Sequence, residues 1–184
     1  MLKNPRVAAI VRTLAPLLAL AILVIVMSAI SPEFRTVNNG MNILRQTAVN
    51  GFLSAGMLVV LITAGIDLSV GANAILSACI MGMLMTTFGV TNPIILLVAA
   101  LIVGTTVGIV NGLLLTKLKL PHPFVSTLGM KFVLAGLALF VVSTRTISGF
   151  PDAVTWLGSA DFLRGGGFNG IPGSFVALLI TFVG

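Results

Sequence analysis

A chain of 184 residues in which 58% are hydrophobic and 8% charged, with a mean hydropathy of +1.19, is not an ordinary soluble domain, where about 25% of residues carry charge. A large core cannot account for the deficit, because a chain this short leaves much of its surface outside; the composition specifies an integral membrane protein. The net charge of +6 comes from Lys and Arg dispersed at the ends of apolar runs, as helix-flanking charges are in membrane proteins, and not from a basic block suited to nucleic acid. The single cysteine, Cys79, lies in an apolar run, and one histidine with four scattered acids offers neither a disulfide framework nor a metal-ligand cluster.

Taken in order, residues 14–30 predict a first span. It follows Lys3, Arg6 and Arg12, with Pro16 near its start, where proline is tolerated. The run exceeds the apolar core of about 7–15 residues in a signal peptide, and residues 28–32 make a weak cleavage site, so it reads as a retained helix. Residues 31–35 break it, Asn38-Asn39-Gly40 has loop composition, and residues 41–50 are half polar, as in a short interfacial helix. The second span, 47–64, is short against the roughly 20 residues a crossing needs. A third span covers 71–88, with Met81, Met83 and Met85 as flexible packing. A fourth covers 94–115 and a fifth 124–143. A glycine-rich connection, 144–173, carries Asp152, Trp156 and Asp161. A sixth span, 174–184, stops after about half a bilayer thickness, so the chain reads as one membrane domain cut within a span. The expected fold is all-α, a polytopic transmembrane helical bundle, with the N-terminus, the 63–71 turn, Lys117 and Lys119 on the cytoplasmic side.

Asp67 is the one acid between Glu33 and Asp152. It lies in the run Gly65-Ile66-Asp67-Leu68-Ser69-Val70-Gly71 between two apolar stretches, either in a short loop at the membrane face or in a break between helices at membrane depth. The flanking glycines let the backbone leave helical geometry cheaply, and ionisable groups at membrane depth are rare and by default functional. For Asp67 and Ser69 the favoured role is structural, capping the third span's N-terminus, where a carboxylate also complements the helix dipole.

Gly104, Gly108 and Gly112 recur every four residues on the fourth span, a small-residue stripe for close helix packing. Asn111 beside it reads as an interhelical hydrogen-bond donor before a substrate ligand. Asn50 with Ser54, and Asn73 with Ser77, form polar pairs four residues apart that turn toward the bundle interior; glue between helices and the lining of a path both remain open. Lys131 reads as a snorkelling side chain. Gly165-Gly166-Gly167 is not a phosphate loop, and no Walker A sequence occurs, so any ATP used must be hydrolysed by another chain.

Several segments together carry a resemblance: Phe34-Arg35-Thr36, residues 42–50, the 63–71 run, Asn111-Gly112, Pro123-Phe124-Val125-Ser126-Thr127-Leu128-Gly129, and the 144–174 loop. They resemble the permease subunits of bacterial ribose-type sugar ABC importers across nearly the whole chain. The resemblance implies the fold of vitamin B12-type importer permeases, of which this chain would hold the N-terminal portion. It also implies the bacterial inner membrane, a second permease subunit, cytoplasmic ATPase subunits and an extracytoplasmic sugar-binding protein. No cofactor is expected. The family's cytoplasmic coupling segment has no match here, so the sequence reads as a fragment or a truncated product.

On this reading the chain moves a monosaccharide by alternating access, with Asn50, Ser54, Asn73, Ser77 and Asn111 as candidate path residues for an uncharged polar sugar. Asp152, Trp156 and Asp161 are candidate contacts for the binding protein, unless the aromatics form an interfacial belt. The competing classes are an ion-coupled secondary transporter, with Asp67 carrying the coupling ion, and a nonfunctional fragment. An enzyme is disfavoured, since no nucleophile–base or carboxylate pair is identifiable.

Overall fold

The computed structural model describes residues 5–63, 65–117, 123–143, 146–159, 161–162 and 170–183, with side chains for all of these except 5–10, 12, 13, 157, 159, 161, 162 and 183. Among the described residues the chain runs through α1 (Pro5–Ile30), a 3-10 turn (Pro32–Arg35), α2 (Val37–Ile62), α3 (Val70–Phe88), α4 (Pro93–Thr116) and α5 (Pro123–Val142). There follow α6 (Asp152–Ser159), two short strands, β1 (Asp161–Phe162) and β2 (Ile171–Pro172), and α7 (Gly173–Val183). The protein is an all-α polytopic bundle. α2, α3, α4 and α5 are each long and apolar enough to cross a membrane, while Leu14–Ile30 and Gly173–Phe182 are shorter apolar helical stretches. The 19 residues of α3 span roughly 28 Å at about 1.5 Å per residue, close to the ~30 Å hydrocarbon thickness.

The helix ends follow from local chemistry. Asn38-Asn39-Gly40, whose composition predicts a loop, forms the first turn of α2. The Thr36 hydroxyl oxygen accepts the Asn39 backbone N–H at 3.2 Å and donates its own proton to the Glu33 carbonyl at 2.7 Å. The Asn39 side-chain amide reaches back to the Phe34 carbonyl at 3.0 Å. A capping threonine and a bracing amide thus override the turn propensity of the Asn-Asn-Gly triplet. α1 begins nine residues before the expected span, so Pro16 sits inside the helix and removes one donor from its hydrogen-bond ladder. α3 ends at Gly89, with φ +65°; the N–H groups of Gly89 and Val90 both turn back to the Leu84 carbonyl, a left-handed stop suited to glycine. Asn92 then caps α4 by accepting the Ile94 N–H at 2.9 Å, with Pro93 at the first helical position.

α3 packs against both α4 and α5. Ala72 and Leu76 of α3, Val107 of α4, and Leu134 and Ala138 of α5 form the buried core, with Cys79, Ile80, Val103, Met130 and Val141 around it. A second seam joins α2 to α7, where Gly51 faces the buried Leu178. The strands pair antiparallel, with Asp161 opposite Pro172 and Phe162 opposite Ile171, and the Ser174 hydroxyl donates to the Gly158 carbonyl at 3.2 Å. Most other large apolar side chains point outward, Phe140 at 82% exposure among them, as lipid-facing helices require and soluble monomers avoid.

At Gly51 an added Cβ would lie 2.5 and 2.6 Å from the two Leu178 methyls and 3.1 Å from its Cγ, so the buried Leu178 side chain would have to shift to make room. Gly51→Val is therefore expected to destabilise the protein by about 1–3 kcal/mol, and adding Leu178→Ala should recover part of the loss. Thermal unfolding in detergent checks both; a Gly51→Val protein as stable as wild type would show that the α2–α7 seam is not close-packed.

Candidate functional site

α2 ends where the Val60 carbonyl gathers the Thr63 N–H and hydroxyl at 3.1 and 2.7 Å and the Gly65 N–H at 3.2 Å. The chain then turns through Ile66-Asp67-Leu68 into α3. Asp67 Oδ1 accepts both the backbone N–H of Ser69, at 2.8 Å, and its hydroxyl, at 2.6 Å. That is an Asx-type turn in which the carboxylate makes charge-assisted bonds. Ser69, only 1% exposed, accepts in turn from the Asn111 side-chain amide of α4 at 2.8 Å. The same amide nitrogen lies 3.4 Å from Asp67 Oδ2. On the other side, the Thr127 hydroxyl of α5 reaches the Ile66 carbonyl at 3.0 Å and the Pro123 carbonyl of its own helix at 3.0 Å. It has one proton to give, so it serves one at a time. The turn therefore holds together the start of α3, the end of α4 and the start of α5.

The capping role expected for Ser69 takes a different form. Ser69 occupies the position before the first turn of α3, with φ −87° and ψ −10°, but its side chain caps no helix N–H. Its hydroxyl is already committed to Asp67 and Asn111. The carboxylate of Asp67 supplies the negative charge favoured near a helix start.

The other candidates fall into separate groups. Asn73 donates to the Gly104 carbonyl of α4 at 3.2 Å, and Ser77 Oγ lies 3.8 Å from where a Gly104 Cβ would be. With Asn111 these residues mark a polar line down the α3–α4 seam. A Cβ added at Gly108 or Gly112 would meet nothing within 4 Å, so of the glycine stripe only Gly104 meets another helix among the described residues. Asn50 and Ser54 are exposed on α2, and the Ser54 hydroxyl bonds the Asn50 carbonyl at 2.7 Å within its own helix. The structure does not bring this pair into the α3–α4 line. Lys131 is exposed, with Nζ 5.9 Å from the Phe132 ring centroid. Asp152 and Trp156 are exposed four residues apart on α6, hence on one face. The Asp161 backbone pairs in β1, and its side chain lies outside the described residues. Sequence reasoning misses Thr127 as a site residue, although it lies in a segment that carries the resemblance; its place four residues after a helix-starting proline is the available signal.

Residues 39–183 match the model of a family described as "Branched-chain amino acid transport system / permease component". The ribose import permease of Bacillus subtilis is 40% identical over 175 residues, covering 95% of this chain and 52% of the relative. The chain belongs to the ribose-type ABC permease family. The ribose import permease of Escherichia coli K12 is 35% identical over 77% of the chain and 44% of its own length. The fructose import permease of Rhizobium meliloti is 44% identical over 99 residues, 53% of the chain and 27% of its own length. No solved structure matches the chain. This permease sequence spans about half the length of the curated relatives it matches, and its long apolar helices are those of a multi-pass membrane protein.

In this permease, Asp67 Oδ1 accepts two bonds from Ser69, and the turn is expected to depend on that acceptor more than on charge. Asp67→Asn, which can keep a carbonyl oxygen facing Ser69, is expected to cost less stability than Asp67→Ala, which leaves the buried Ser69 donors unpaired at about 1–3 kcal/mol. Asn111→Asp, which sets a second carboxylate beside the first, should be worse than Asn111→Ala. Melting temperatures in detergent give the order; equal losses for Asp67→Asn and Asp67→Ala would make charge, not acceptor geometry, the requirement.

Proposed function

We propose that the chain forms the membrane-crossing permease part of an ATP-driven importer that moves a neutral monosaccharide, a ribose-like pentose or a hexose, across the bacterial inner membrane. The reading is carried by the 40% identity to a ribose import permease over 95% of the chain. Relatives named for D-allose, fructose and galactofuranose belong to the same chemical class. The partners are a second permease subunit, cytoplasmic ATPase subunits that supply the energy, and an extracytoplasmic binding protein that delivers the sugar. The N-terminus and the Asp67 turn face the cytoplasm, by the distribution of basic residues in short loops.

In this scheme the Asp67 turn binds α3, α4 and α5 into one body that tilts as a unit, and Gly65 to Gly71 form its signature. A ligand shifts such an equilibrium only through its different affinity for the two arrangements. An uncharged sugar needs hydroxyl and amide partners, and these the α3–α4 seam offers at Asn73, Ser77 and Asn111, with Asn50 and Ser54 on α2. The buried Oδ1 atoms of Asn73 and Asn111 have no partner among the described residues, so an arrangement that opens the α3–α4 seam would present two acceptors to a sugar hydroxyl or a water. Asp152 and Trp156, on one face of α6, make the edge that meets the binding protein, together with Asp161 in the next segment.

The test is uptake of D-ribose in a host lacking its own ribose permease but retaining the matching ATPase and binding protein. Uptake is expected to fail when ATP is depleted, to survive collapse of the ion gradient, and to fall at least several-fold in Asp67→Ala. Uptake that depends on the gradient with ATP depleted would replace this reading with an ion-coupled carrier.

A further inference from the structure

α4 and α5 both pack along α3 and touch one another far less, so a groove opens between them. Leu76 and Ile80 of α3 make its floor, Val103 and Val110 of α4 one wall, and Val133 and Leu137 of α5 the other, around a cavity of about 520 Å³. The walls stand open to the outside, with Val110 39%, Leu137 46% and Val133 56% exposed. Thr106 is the polar exception among the described lining residues, and its hydroxyl proton is given to the Ile102 carbonyl of its own helix at 2.7 Å.

Two kinds of neighbour can fill an apolar groove within a membrane, another helix or a lipid chain. Helices meet in lipid through small residues that let backbones approach, and through side-chain hydrogen bonds between them. The groove supplies neither. Its walls are bulky and largely β-branched, and the Thr106 proton is already spent. The glycines of α4 lie elsewhere: Gly108 is two residues from both Thr106 and Val110, hence about 200° around a helix of 3.6 residues per turn. A flexible hydrocarbon chain needs only an apolar channel of fitting length.

Length and charge both point to a phospholipid. Positions 103, 106, 110, 113 and 117 recur at spacings of three and four, so the wall of α4 continues through Leu113 to Lys117 on one face. Lys117 keeps helical geometry, with φ −89°, ψ −45° and its N–H on the Leu113 carbonyl at 2.9 Å, and it is exposed. From Lys117 to Ile102, at the far end of the groove, α4 rises roughly 22 Å at about 1.5 Å per residue. One leaflet with its headgroups is about 20–22 Å thick, half of a bilayer's 40–45 Å. A cation at one end of a leaflet-long apolar channel matches a lipid with a phosphate at the head and a hydrocarbon tail.

We infer that the α4–α5 groove is a binding site for an anionic phospholipid, with an acyl chain between Val110 and Leu137 and the headgroup phosphate at Lys117. The orientation proposed above puts Lys117 at the cytoplasmic leaflet, whose negative surface attracts basic residues. The site is independent of which solute the permease carries.

The experiment reads lipid contact by fluorescence. Trp156 is the single tryptophan, so a Trp156→Phe background carrying Leu137→Trp places one reporter on the groove wall. Leu139→Trp, two residues on and on the opposite face of α5, is the control. Each protein is reconstituted into vesicles that mix an unlabelled lipid with phosphatidylglycerol or phosphatidylcholine brominated in its acyl chains. At position 137 brominated phosphatidylglycerol is expected to compete about fivefold better than brominated phosphatidylcholine, the size of one lysine's attraction to an anionic surface. Lys117→Gln should abolish that preference, Lys117→Arg should keep it, and Lys131→Gln should leave it unchanged. The signal at position 139 should not respond to Lys117→Gln. Val133→Trp, on the same wall, provides a second reporter with the same expectation. Quenching by neither lipid at 133 and 137 would show protein covering the groove, a second copy or another chain, and would overturn the inference. So would equal quenching by both lipids at these positions, a preference that survives Lys117→Gln, or one that Lys117→Gln removes equally at 139.

Discussion

One carboxylate organises the membrane core. Asp67 Oδ1 accepts two bonds from Ser69, and Ser69 accepts from Asn111, so a single acid fixes the entry of α3 and anchors α4 through one intervening hydroxyl. Thr127 adds α5 by holding the carbonyl of the neighbouring Ile66. Apolar packing alone does not specify how such helices sit together in lipid, because the tails are as oily as leucine. Directional bonds at one end supply the missing specificity, and the Ala72–Leu76–Val107–Leu134–Ala138 contact then continues from that fixed point.

The rest of the structure divides around this arrangement. α3, α4 and α5 form one unit with side-chain bonds between helices. α2 meets α7 through a glycine and a leucine. The loop after α5 folds back across α3 at Gly82, and α6 shows Trp156 at 58% exposure. Polar chemistry is thus concentrated at the Asp67 end of the α3 unit and along its seam with α4, while most outward-facing side chains are apolar, the exposed Asn50, Ser54 and Lys131 being exceptions, the distribution expected where charge at membrane depth is costly.

Much of this is legible in the residues. The all-α membrane fold follows from apolar runs of spanning length, and Asp67 stands out because its nearest acidic neighbours in sequence are Glu33 and Asp152. Asn111 reads as an interhelical donor, and its amide does bond across from α4. What stays hidden depends on partners distant in sequence or on backbone geometry. The Thr36 cap and the Asn39 amide turn a loop-like triplet into helix. Ser69 gives its hydroxyl sideways and not along its own helix, and nothing local reveals that Asn111, 42 residues on, claims it. Gly108 and Gly112 share the four-residue spacing of Gly104, yet only contacts distinguish a packed glycine from an open one. Ser143 carries no sequence mark of its positive φ, +49°.

The two ends of α3 are finished by different means, one by partners near in sequence and one by partners far along the chain. At Gly89 the Leu84 carbonyl accepts the N–H groups of Gly89 and Val90, and Asn92 caps α4, so the hydrogen bonds of this hairpin come from residues close in sequence. The head of α3 has to wait for Asn111 and then for Thr127, 42 and 61 residues downstream of their partners. Until those residues exist, the Asp67–Ser69 turn lacks its bonds to α4 and α5, and the set of contacts around Asp67 is complete only once the fifth helix is present.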